Sequence, residues 1–249
     1  MKNFGTRALL LVVATGIAAT TAWAQAAPTP QSVAEQLALC KSEASAVEDK
    51  IAACGRVIAG TTDDEIRIEA LIQRGVLREQ AELREEAILD YSEAIKLDAQ
   101  NAIAFFNRGN VHDQMGQHDL AIADYSEAAK LDPKDADIFN NRGQSYDNKG
   151  LHDLAIADYT EAIKLAPNGG RAYYNRGLTL AAKGEHKAAV ADFSEAIRID
   201  AADGEAYVNR AMAYEAMGDQ AAARGDYQKV LELQPAHNHA KSALARLTN

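Results

Sequence analysis

An all-α solenoid of stacked helix pairs is the fold class this sequence predicts, on three observations. The chain repeats itself every 34 residues between positions 68 and 237: "LAIADYSEAAKLDPKDADIFNNRG" (Leu120 to Gly143) returns as "LAIADYTEAIKLAPNGGRAYYNRG" (Leu154 to Gly177). Within the period, small and aromatic residues recur three and four apart, the spacing of one helical face. Glycine and proline recur where such helices have to stop. A unit of this length cannot bury its apolar face alone, so successive units stack.

The first 24 residues are different in kind. Lys2 and Arg7 form a positive start, the apolar run "ALLLVVATGIAAT" follows, and "AWA" (Ala22 to Ala24) puts small residues where an export peptidase reads. The run is shorter than the roughly 20 apolar residues of a membrane span and is interrupted by Thr15, Gly16 and Thr20. A cleaved signal peptide over 1–24 is therefore the expectation, with no cysteine beside the cleavage site to take a lipid. Its loss leaves 24 basic against 36 acidic residues, a net charge of −12. Such a surface repels nucleic acid and anionic lipid, and no later stretch is long and apolar enough to insert into a membrane. The expected product is exported, with a periplasmic destination.

Residues 25–31, "QAAPTPQ", read as a disordered linker. Residues 32–67 read as a degenerate capping hairpin, in which "DKIAACGRVIAG" (Asp49 to Gly60) echoes the second half of a repeat with Cys54 at the aromatic position. "TTDDE" (Thr61 to Glu65) is a polar connection carrying helix-start residues. Cys40 and Cys54 are the two cysteines of the chain, each seven residues from Val47, the expected turn. Antiparallel helices would oppose them, and an oxidising destination favours a disulfide. Two thiols are too few for a structural zinc site.

Five repeats follow, 68–101, 102–135, 136–169, 170–203 and 204–237. Position 8 reads Gly75, Gly109, Gly143, Gly177 and Ala211; position 20 is alanine throughout, from Ala87 to Ala223. Position 24 is Tyr91, Tyr125, Tyr159, Phe193 and Tyr227, and position 27 is Ala94, Ala128, Ala162, Ala196 and Val230. Small residues at 8, 20 and 27 let two helices approach, and the aromatic fills the remaining space. Gly116, Gly150, Gly184 and Gly218 at position 15 suit the left-handed residue that ends a first helix. Pro133, Pro167 and Pro235 at position 32 stop the second. The tail 238–249 is a short amphipathic helix that could cover the last repeat.

This signature resembles the tetratricopeptide repeat (TPR) over residues 68–237. Departures are modest: Leu71, Phe105, Phe139, Tyr173 and Tyr207 stand where the family often has Trp, and Ala99 and Ala201 replace proline. The resemblance implies a right-handed solenoid whose first helices line a concave groove, with positions 2, 5, 6, 9, 12 and 13 facing an extended peptide. Position 6 is Gln73, Asn107, Asn141, Asn175 and Asn209, an amide series able to both donate to and accept from peptide backbone. Phe106 and Tyr174 at position 5 and Arg171 at position 2 join them as candidate groove residues. Clamping a C-terminal carboxylate needs several groove cations, and only Arg171 qualifies.

Other recurrent residues read as scaffold. Arg74, Arg108, Arg142, Arg176 and Arg210 at position 7 and Asp90, Asp124, Asp158, Asp192 and Asp226 at position 23 lie equally far from the turn, and so can pair across each hairpin. His118, His152 and His186 share position 17, but stacked helices would hold them about 10 Å apart, beyond the reach of one metal. No nucleophile elbow, phosphate-binding glycine loop or His-Glu-x-x-His pair is present. The expectation is a non-catalytic scaffold without metal or cofactor, binding protein or extended peptide in its groove, with a structural or self-assembling envelope component as the alternative.

Overall fold

A computed structural model describes residues 32–247; the expected signal peptide and linker lie outside the described residues. Every helix among these packs antiparallel on the next. A first pair, α1 (Val33–Cys40) and α2 (Val47–Gly60), precedes five repeat pairs. These are α3 (Asp64–Gln80) with α4 (Arg84–Leu97), α5 (Ala102–Gln114) with α6 (His118–Leu131), and α7 (Ala136–Asn148) with α8 (His152–Leu165). Then come α9 (Gly170–Ala182) with α10 (His186–Ile199), α11 (Gly204–Ala216) with α12 (Gln220–Leu233), and a single closing helix, α13 (Asn238–Leu247). The result is an all-α solenoid.

The core follows the repeat grammar. All five aromatic residues at position 24 and all five alanines at position 20 are buried. A Cβ built on Gly143 would stand 2.8 Å from the Tyr159 ring, and one on Gly177 2.7 Å from the Phe193 ring. Position 8 is small because the aromatic of the partner helix lies against its backbone. Ala211 fills that position in the last repeat, and there Tyr227 packs beneath α13, with Ala240 and Ala243 closing the cluster.

The turns show how each hairpin is folded back. Gly116, Gly150, Gly184 and Gly218 take φ of 72°, 72°, 79° and 81°. The next amide then reaches back to the helix end, as Leu151 N–H does to Tyr146 O at 2.9 Å, the closing bond of a Schellman turn. Three first helices, α5, α7 and α11, are capped from position 34, where Asn101 Oδ1 accepts from Ala104 N–H at 3.0 Å and Asp203 Oδ1 from Ala206 N–H at 3.0 Å, whereas Gly169 gives α9 no side-chain cap.

The cap differs from expectation in two boundaries. Val47 is the first residue of α2, and the turn occupies Lys41–Ala46, where Ser42 Oγ accepts from Ala44 N–H. The chain enters α3 at Asp64, because Asp63 caps it by accepting from Glu65 and Ile66 N–H. The connection is thus only 61–63, and Glu65 belongs to the helix. Cys40 and Cys54 are bonded, with Cα atoms 4.9 Å apart and both side chains fully buried.

Candidate functional site

Successive first helices pack on one another, α3 on α5, α5 on α7, α7 on α9 and α9 on α11, and successive second helices do not pack to that extent. The stack therefore curves toward the first helices, whose exposed side is the inner face. Across repeats one to four this face holds a polar cleft of about 270 Å³. Glu79, Asn110, Asp113, Gln114, Asn141, Gln144 and Arg171 line it, with the Tyr125 hydroxyl contributed from α6. A second cleft of about 400 Å³ lies between the cap and repeat two, where Gln73 meets Ile68, Ile72 and Ile103.

The expected amide series reaches this face, and most of its members bond sideways. Asn141 Nδ2 donates to Asn110 Oδ1 at 3.0 Å, one repeat back. Asn141 Oδ1 in turn accepts from Asn140 at 3.2 Å and from Arg171 at 2.8 Å. Asn175 Nδ2 donates to Asn140 Oδ1 at 3.1 Å, and Asn209 Nδ2 donates to the Tyr174 hydroxyl at 3.1 Å. Apart from the Asn140–Asn141 bond inside α7, these bonds tie neighbouring first helices together; none crosses within a hairpin. Phe106 and Tyr174 are half-buried and pack at 5.9 Å, with tilted rings, against Tyr125 and Phe193 respectively, so each serves the core as well as the face. Arg171 stands 3.6 Å from Asp137, and its two bonds leave it part of the wall.

The position 7 and position 23 ladder is a repeated fork. Arg142 donates through Nε and Nη2 to the two oxygens of Asp158 at 2.7 and 2.8 Å, and the other four pairs are alike. The third nitrogen crosses to the preceding repeat: Arg108 to Ser92, Arg142 to Ser126, Arg176 to Thr160, Arg210 to Ser194. Bonding to their aspartates holds Arg142, Arg176 and Arg210 even more firmly protonated than usual. The ladder is a strap between repeats.

A second network, at position 12, was not legible in advance. Asp113 Oδ1 accepts from His118 Nδ1 at 2.8 Å and from Ser145 of the next repeat at 2.6 Å. Asp147 accepts from His152 through Oδ1 and from Thr179 through Oδ2. In the fourth repeat Ala181 replaces the acid, Phe193 replaces the tyrosine and Ala213 the hydroxyl, and His186 Nδ1 is left buried without a partner. Burial first, and then these same acids, push the tyrosine hydroxyls up: Asp113 acts on Tyr125, Asp147 on Tyr159 and Glu79 on Tyr91. Each acid gathers donors from its partner helix and from the first helix of the next repeat, so no single repeat displays the motif. Among the described residues no group of His, Cys, Asp and Glu is arranged to hold a metal.

Family models described as TPR repeat match residues 84–116 and 114–150. Models described as tetratricopeptide repeat match 140–206 and 204–237. No curated protein matches at a significant level. Among solved structures, MamA aligns over 65% of this chain and 94% of its own, at 25% identity and a TM-score of 0.63. YrrB, described as a TPR protein with an unusual peptide-binding site, aligns over 77% and 97%, at 23% identity and a TM-score of 0.65. PilF of Pseudomonas aeruginosa aligns over 74% and 84%, at 21% identity and a TM-score of 0.65. At such identities the likeness establishes the fold.

Proposed function

Because the chain belongs to the tetratricopeptide-repeat family, we propose that it is an exported, non-catalytic scaffold that holds an extended segment of another protein against its first helices, in a periplasmic setting. The observation that carries this reading is the polar cleft across α3, α5, α7 and α9, whose amides keep bonding capacity beyond their sideways bonds. Asn110, in the cleft, uses only its oxygen, which accepts from Tyr125 at 2.8 Å and from Asn141, and Asn107, one turn earlier on α5, has no side-chain hydrogen bond among the described residues. An extended backbone offers donors and acceptors at regular steps, so a row of amides can follow it. YrrB is described as binding peptide, which is consistent with such a use of the fold.

The partner is to be captured from the envelope extract of the source organism and its segment mapped. Each amide contributes about 1 kcal/mol net, so Asn107→Ala with Asn141→Ala and Asn175→Ala should weaken that complex about 100-fold. Unchanged binding by the triple variant would remove the groove from the function. Asn107→Ala alone is the clean control, since no scaffold bond depends on it.

One observation favours a second reading, self-assembly through the opposite face. Leu89, Leu120 and Leu154 on the second helices are exposed at 67%, 51% and 48%, more than solitary surface leucines require. Sedimentation of the pure protein over a concentration series separates the two, because self-assembly needs no added partner.

A further inference from the structure

The groove is charged as well as polar, and its charge is one-sided. The groove positions of the five repeats carry seven carboxylates and a single cation, Arg171. Several of these are neutralised locally: Arg171 bonds Asn141 and faces Asp137, Glu69 pairs with Lys41, and Glu215 pairs with Arg246 at 2.6 Å. Of the two acids of the 270 Å³ cleft, Glu79 has no cationic side chain within ion-pair distance among the described residues, and Asp113 has only the His118 imidazole, at 2.8 Å. Glu79 accepts from the Gln114 amide at 2.6 Å. Asp113 accepts from His118 and Ser145 through Oδ1 alone, leaving Oδ2 uncommitted.

Both acids act on the same place. The Tyr125 hydroxyl lies in the cleft, and after burial the groups opposing its ionisation include Asp113 and Glu79 together. One repeat earlier the Tyr91 hydroxyl is buried, and after burial Glu79 is the first group opposing its ionisation. The cleft thus joins two carboxylates, neither of them held by a lysine or arginine, to amide donors on Asn110 and Gln144. We propose that this cleft receives a cationic side chain, lysine or arginine, of the bound segment, with Glu79 and Asp113 taking the charge and Asn110 and Gln144 the adjoining backbone. This rests on the groove reading above and adds the chemistry of its occupant. An anionic or apolar side chain would leave both carboxylates facing an uncompensated neighbour, whereas charge-assisted bonds are the stronger kind.

The test uses the full chain and three labelled extended peptides of alanine, serine and glycine, identical except for two lysines, two norleucines or two glutamates. The lysine peptide should bind about tenfold tighter than the norleucine peptide, as one or two charge-assisted bonds imply, and the preference should shrink as salt is added. Glu79→Gln with Asp113→Asn should bring the two peptides within about twofold of each other, as expected when charge-assisted bonds become neutral ones. Glu79→Gln alone, at a half-exposed site where glutamine can still accept from Gln114, should remove part of the preference with little change in the melt, and covers the case in which the double variant folds poorly. Equal binding of lysine and norleucine peptides, or of none of the three, overturns the cationic occupant. The groove reading is judged separately, by the triple asparagine variant against the captured partner.

Discussion

Glu82 holds the turn of the first repeat at φ 61°, where the four later repeats place glycine. A side chain in the left-handed region costs about 1–2 kcal/mol, part of which glycine gives back through its freer unfolded chain. Glu82→Gly should therefore raise stability by about 1 kcal/mol, read as a higher denaturation midpoint. Asp147 is the opposite case. It accepts from His152 and from Thr179, which is itself buried. Asp147→Ala should cost about 2 kcal/mol, and adding Thr179→Ala should cost less than the sum, because the second change removes a hydroxyl that the first left short of a partner. Equal additivity in a double-mutant cycle would show that the two side chains are not coupled. The glycine–aromatic contacts and the Arg–Asp forks were legible in the sequence, since each recurs at fixed spacing within one repeat. The position 12 network was not, because its donors are a histidine of the partner helix and a hydroxyl of the next repeat. Only their joint loss around Ala181 reveals them as a unit.

At the scale of the element, the cap is the weakest link and the disulfide explains how it holds. α1 has eight residues, below the length at which a helix persists in water by itself. It buries only Gln36 and Cys40 well. The Cys40–Cys54 bond closes a separation of 14 residues, worth about 3 kcal/mol in the chain-entropy account. Replacing both cysteines by serine should speed hydrogen exchange of the α1 and α2 amides about 100-fold, as that free energy implies. Exchange in α7 to α12 should stay as it was; a uniform change along the chain would mean the solenoid opens as one unit. The pairing could be read from the equal spacing about Val47. The turn itself could not, since a six-residue connection and a one-residue turn place the two sulfurs almost equally well. The start of α3 was likewise hidden by the repeat frame, which describes only what recurs, while the Asp63 cap occurs once.

Over the whole molecule the repeats are joined by buried polar groups as much as by apolar ones, and this sets a pH limit. Tyr91, Tyr125, Tyr159 and Tyr227 are buried at the centre of their hairpins, and burial pushes each hydroxyl well above its ordinary value of 10.0. The carboxylates facing them, Glu79, Asp113, Asp147 and Glu215, act in the same direction, and at Tyr227 the bond to Glu215 at 2.6 Å adds to burial. A group whose folded pKa is raised stabilises the fold fully below its unfolded pKa and loses that contribution as pH climbs toward the folded value. Stability should therefore be insensitive to these tyrosines up to about pH 9, where the unfolded chain's phenols are still protonated. Above pH 10 each buried tyrosine should subtract about 1.4 kcal/mol per pH unit, since only the unfolded chain can ionise it. Four acting together would bring a steep alkaline collapse. Phenolate absorbance for these residues should then rise with loss of helical circular dichroism, in one step. A gradual phenolate titration in the helical protein would show instead that the hairpin centres admit charge. Tyr227→Phe tests the premise at one site: it removes the group that ionises, and should flatten the alkaline slope by about one quarter of the four-tyrosine total, on the same per-group estimate.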